Sequence, residues 1–211
     1  RDVSIKEDTI AASVSIETQH GYAWPFMMTS TDAGNSWRVA PDTLGDFVKP
    51  ALSDGTLHIT LNADEYPEIA YWKSYDLGFT WSLKTILSTI DNHGSMISSI
   101  AASHNRVLAT WRDSKYGCSS DLSCGIVVRN SDSGGDEWFD EENITGGYFG
   151  IPRDITIREN IVAVVWDAAN NAGGIGTRIR TSFDEGAIWC PVYALAGANT
   201  GDPVVAITQN A

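Results

Sequence analysis

The chain has 211 residues, enough for one or two domains with a sizeable core. Asp and Glu outnumber Lys and Arg by 27 to 14, a formal net charge of −13 that argues against binding nucleic acid or an anionic membrane. No apolar run approaches the roughly 18 residues of a membrane helix, and no signal peptide opens the chain, as expected of a mature or excised polypeptide.

Strand patterns fill the chain, and helical periodicity is absent. The first unit reads as strands at 2–7, 10–17, 23–29 and 38–40. The second begins at 49–53, turns at Asp54-Gly55 into 57–61, and continues with 68–73 and 82–87. Asp-Gly between apolar runs is a strong hairpin signal. The third runs through 96–103, a turn at His104-Asn105, 107–112, 125–129 and 138–144. The fourth runs through 153–158, a turn at Glu159-Asn160, then 161–167, 176–181 and 190–195. The segment 202–210 then matches the strand that opens each earlier unit.

Between the third and fourth strands of each unit the same stretch returns. Its copies are Ser30-Thr31-Asp32-Ala33-Gly34-Asn35-Ser36-Trp37, Ser74-Tyr75-Asp76-Leu77-Gly78-Phe79-Thr80-Trp81 and Ser182-Phe183-Asp184-Glu185-Gly186-Ala187-Ile188-Trp189. A degenerate copy aligns Asn130, Asp132, Gly134 and Trp138, with Asn in the Ser position and one extra residue before the Trp. In the shared S-x-D-x-G-x-x-W pattern the Asp can accept turn N–H groups, the Gly supplies a left-handed conformation, and the Trp anchors the next strand. The four aspartates lie 44, 56 and 52 residues apart, a period that suits a four-stranded propeller blade.

The pattern resembles the Asp box, or BNR repeat, of the sialidase superfamily of β-propellers. The resemblance implies an all-β propeller of sialidase type, with four Asp-box blades at about 1–45, 46–91, 92–150 and 151–200. The first strand of a fifth blade would lie at 201–211. A propeller must cover its sheet edges, so the chain is expected to be part of a larger propeller. The other possibilities are a terminal strand exchanged between copies and four closed blades with a strand to spare. The box itself is structural in that family, so it argues for fold and not for activity.

Cys118 and Cys124 bracket a polar loop that a local disulfide would staple, while Cys190 reads as a buried or unpaired thiol. Asn143-Ile144-Thr145 is a glycosylation sequon. Together these favour an extracellular or cell-surface protein. The acid-rich segment 132–137 lacks a full calcium-ligand pattern, so neither a metal nor a cofactor is expected.

In propellers of this kind, ligands meet the face formed by two sets of loops. The loops leading into the innermost strands offer Asp2, Asp46, Lys49, His93, Arg153, Asp154 and Asp202. Those joining second to third strands offer Gln19, His20, Asn62, Asp64, Glu65, Arg112, Asp113, Lys115, Tyr116, Asp167, Asn170 and Asn171. This polar, mostly acidic collection suits a hydroxyl-rich ligand, although each residue alone also reads as a solvated loop residue. Asp113 and Asp167 end equivalent strands, either as an acid/base pair or as loop caps.

Sialidase chemistry requires three arginines on a carboxylate, a Tyr nucleophile activated by Glu, and an Asp acid/base. Ile151-Pro152-Arg153 departs from the family's R-I-P motif, and no third arginine joins Arg112 and Arg153, since Arg129, Arg178 and Arg180 fall on third strands. No Tyr–Glu pair follows from spacing, although Tyr116 is on a suitable loop. The expectation is therefore a module that recognises a glycan or an extracellular protein without a complete catalytic site. The alternatives are a sialidase-like glycoside hydrolase completed by blades outside this chain and a protein-binding scaffold. An unpaired terminal strand would offer a route to oligomers.

Overall fold

A computed structural model describes residues 2–17, 23–40, 48–63, 67–120, 123–169, 175–195 and 202–208. Every regular element among them is a strand. Four antiparallel meanders follow one another. The first is β1 (Asp2–Lys6), β2 (Thr9–Glu17), β3 (Ala23–Ser30) and β4 (Arg38–Val39). The second is β5 (Lys49–Ser53), β6 (Thr56–Asn62), β7 (Ile69–Ser74) and β8 (Thr85–Ile86). The third is β9 (Ser95–Ser103), β10 (Arg106–Ser120), β11 (Ser123–Ser131) and β12 (Glu142–Asn143). The fourth is β13 (Gly150–Arg158), β14 (Ile161–Ala169), β15 (Ile175–Ser182) and β16 (Tyr193–Ala194). The last two merge into one sheet through a single pair, Cys124 opposite Gly150.

Two expectations change at the periphery. The outermost strands are two residues long rather than the three to seven expected, because each pairs on one side only and its flanks, such as Leu83, face solvent. The polar loop after 112 instead continues as a long hairpin, in which Cys118 and Cys124 lie directly opposite and are disulfide-bonded.

Three apolar clusters fill the spaces between successive meanders. Met27, Leu57 and Leu61 join the first to the second; Ile69, Tyr71, Trp111 and Val127 join the second to the third; Leu108, Ile126, Val164 and Trp166 join the third to the fourth. Such faces cannot be buried within one meander, so stacking the units builds the core. The innermost strands β1, β5, β9 and β13 surround a channel of about 720 Å3, which 204–207 also line. Residues 202–208 keep the alternating exposure of an inner strand but form no ladder. They are tied by the Val205 N–H to Asp154 Oδ2 (3.0 Å) and by Arg158 to the Ile207 carbonyl (3.4 Å).

The recurring turns share one hydrogen-bond scheme. Ser30, Ser74 and Ser182 Oγ each accept the N–H of the Gly four residues on, at 2.9, 2.7 and 2.9 Å. Asp32, Asp76 and Asp184 Oδ1 each accept the N–H four residues on, all at 2.8 Å. The third turn obeys the same scheme in a different alignment. Ser131 accepts from the Gly135 N–H (2.9 Å), and Ser133 Oγ replaces the carboxylate, accepting from the Glu137 N–H (2.8 Å). The paired left-handed residues are Gly134 and Gly135, matching Ala33 and Gly34 in the first turn. Asp132 and Gly134 are therefore one position out of register with the roles expected of them. The turn has no extra residue, only Ser in place of Asp.

Candidate functional site

The two sets of loop residues meet different fates. Arg153 and Asp154, with Asp2, Lys49 and Asp202, line one cavity of about 460 Å3 where the inner strands begin, and Ile97, Pro152, Pro203 and Val204 complete its wall. The chain reaches this geometry through β-bulges. Pairing slips between Pro152 and Asp154 in β13, and between the partners of Thr110 and Arg112 in β9. A bulge inserts an extra residue and re-aims its neighbours. One slip turns Arg153 to the mouth, and the other holds Ile97 at φ 55°, a left-handed conformation that a β-branched residue resists. Ile97 was not a sequence candidate, because an apolar residue inside a strand reads as core.

Ion pairs organise the mouth. Lys49 Nζ lies 2.9 Å from Asp2. Arg153 donates from Nε to Asp167 Oδ2 (2.6 Å), and its Nη1 lies 3.0 Å from Asp202. Asp167 is buried, and its Oδ1 has no hydrogen-bond partner. Asp154 accepts the N–H groups of Val205 and Ile155. Burial pushes its pKa up and the charge of Asp2 adds to that, while those N–H donors and Lys49 oppose it.

The remaining candidates sit elsewhere. Arg112 is only 7 % exposed and directs its guanidinium to Met96 Sδ (3.2 Å) and Cys124 Sγ (4.0 Å); burial lowers its pKa. Asp113 caps its own hairpin, accepting from Ser95 Oγ, Trp111 Nε1 and the Lys115 N–H. Asp113 and Asp167 thus belong to separate hydrogen-bond sets rather than to one carboxylate pair. His93 pairs with Asp91 across 3.2 Å. Gln19, His20, Asp46, Asp64, Glu65, Asn170 and Asn171 lie outside the described residues.

Tyr116 forms the pair that spacing did not reveal. Its hydroxyl donates to Glu141 Oε1 (3.1 Å), which also accepts from Lys115 Nζ (2.6 Å). Burial and then the Glu141 charge raise the Tyr116 pKa. Burial alone would raise Glu141, but the hydrogen bonds from its neighbours, Lys115 foremost, hold it below its usual range. Twenty-five residues separate the partners, so only the folded hairpin brings them together.

No protein-family model matches the chain, and no curated protein matches it. Solved structures do. A protein of unknown function from Dyadobacter fermentans superposes with TM-score 0.60 at 15 % identity, covering 88 % of this chain and 60 % of that one. The catalytic domain of a GH62 α-L-arabinofuranosidase from Coprinopsis cinerea gives 0.56 at 13 % identity, covering 100 % and 72 %. A sialidase from Trypanosoma rangeli, solved with sialic acid, gives 0.57 at 16 % identity, covering 98 % and 38 %. The fold is that of a β-propeller. This propeller chain spans less than two thirds of the Dyadobacter and Trypanosoma chains that it matches.

Proposed function

We propose that the chain is an extracellular propeller unit that recognises glycans through the cavity at the channel mouth. The observation that carries this reading is the 460 Å3 cavity, in which charged Asp2, Lys49, Arg153, Asp154 and Asp202 alternate with apolar Ile97, Pro152, Pro203 and Val204. Sugars present hydroxyls and C–H faces together, and such a wall meets both. The turn series, taken as Asp boxes of the BNR type, and the likeness to glycosidase folds support a glycan ligand by analogy of fold alone. The Cys118–Cys124 disulfide supports an oxidising compartment.

A glycan array probed with the 211-residue chain tests the reading. Binding should appear without hydrolysis, and Arg153→Ala should lose at least about tenfold in affinity. Array silence would remove the glycan reading and leave a protein-binding scaffold.

Asp154 favours a second reading, a glycoside hydrolase. A part-buried carboxyl whose pKa burial raises, standing at a cavity wall, can serve as a general acid, with the rest of the machinery supplied by blades outside this chain. Fluorogenic sialosides and arabinofuranosides distinguish the two. The recognition reading expects no turnover of either, whereas turnover that disappears in Asp154→Asn would replace it with the hydrolase.

A further inference from the structure

We infer that the mouth selects neutral saccharides and excludes acidic ones, because its own carboxylates already occupy its cations. The inference rests on the mouth being the glycan site.

Among the described residues, the wall of the cavity holds two cations, Lys49 and Arg153. Lys49 is engaged by Asp2 at 2.9 Å. Arg153 has Asp167 on Nε and Asp202 beside Nη1, so carboxylates hold two sides of its planar fork. Asp2, Asp167 and Asp202 already outnumber Lys49 and Arg153, whatever the protonation state of Asp154. An incoming sugar carboxylate therefore meets no net positive charge and finds its best partner taken. Hydroxyl donors find the opposite: the Asp2 and Asp202 carboxylates line the cavity.

Asp202 is the residue that sets the specificity. Its side chain is 85 % exposed, so it is held by its ion pair and not by packing. It stands where a ligand carboxylate would approach Arg153, and it competes from within the same chain.

The test is calorimetric titration of the 211-residue chain with matched oligosaccharides: neutral arabinan-, galactan- and lactose-type probes against sialyl- and uronate-bearing ones. Neutral probes should bind at least about tenfold more tightly than acidic ones, and Asp202→Asn should tighten acidic binding about tenfold. Acidic probes that bind the unmodified chain as tightly as neutral ones would overturn the inference and leave the glycan reading standing. So would acidic binding indifferent to Asp202→Asn. Silence from every probe would overturn both. Because Asp202 is exposed, its substitution leaves the core untouched.

Discussion

At the scale of single residues, the turns are held by oxygens that take several N–H groups each. Ser74 is buried, and its Oγ accepts from the Asp76 and Gly78 N–H groups while donating to Asp76. Ser74→Ala leaves the Gly78 N–H without its acceptor, and should lower stability by about 1–3 kcal/mol in denaturant unfolding. The carboxylates respond to acid. Asp76 is held down to about 2, chiefly by the Thr80 N–H and then by the Ser74 and Thr80 hydroxyls; Asp32 is held down to about 2 by Ser36 and Ser30. Because the folded value lies below the unfolded one, their contribution is complete above about pH 4 and fades as the pH falls towards 2. Carbon-detected NMR titration should place both midpoints near 2; ordinary values would mean that the turn hydrogen bonds do not persist in solution. Ser133 has no such titration. Its turn sits one position away from the alignment expected on Asp132, because a serine oxygen stands where the other turns carry a carboxylate. The constant feature is the interval of four between a serine oxygen and a glycine N–H, which points to Ser131 and Gly135.

At the scale of elements, the second and third meanders meet through a buried polar chain. Ser53 Oγ lies 3.0 Å from His58 Nε2, His58 Nδ1 lies 2.8 Å from Tyr71 Oη, and Tyr71 donates to the Gly134 carbonyl (3.4 Å). Tyr71 presses so closely on the third turn that a Cβ on Gly135 would fall 2.5 Å from its Cζ, whereas one on Gly134 would meet nothing within 4 Å. Both glycines have positive φ. Gly134→Ala should therefore cost about 1 kcal/mol from the backbone alone, and Gly135→Ala about 3 kcal/mol or more; equal losses would disprove the contact. Burial lowers the His58 pKa to about 4, with the Lys73 charge adding to it. The unfolded chain thus takes up a proton that the folded chain refuses. Stability is complete above about pH 6.5 and falls by about 2–4 kcal/mol as the pH drops to 4. His58→Gln should flatten that part of the profile. The disulfide closes a short loop, so Cys118→Ser/Cys124→Ser should cost about 2 kcal/mol. Hairpins and apolar alternation made these strands legible locally, but the lengths of the outer strands were not, because they depend on neighbours that local sequence does not name.

At the scale of the whole molecule, the sequence legibly described a repeat of meanders, and it described the mouth unevenly. Five residues of the loops leading into inner strands share one cavity, since the start of every inner strand must face the common axis. Arg112, Asp113 and Tyr116 have the same chemical character and instead turn into the third unit, where Met96, Ser95 and Glu141 hold them. Only long-range pairing decides between these outcomes. The segment 202–208 kept its expected alternation, although its ladder was not found among the described residues.

The channel is also clamped unequally along its length. At the mouth, Arg153 leans on a carboxylate that is only 4 % exposed. At the opposite end, the inner hairpin turns meet through Asp54, which lies 3.4 Å from Lys6 and 3.0 Å from His104 with every side chain well exposed. Dissolved salt screens exposed pairs within about 10 Å and reaches buried ones far less. Raising the ionic strength should thus loosen one rim of the ring while the other stays rigid, and amide exchange around Asp54 and Gly55 should quicken before that around Asp167 does. The propeller would then yield to its medium from the Asp54 end, leaving the Arg153 end in register.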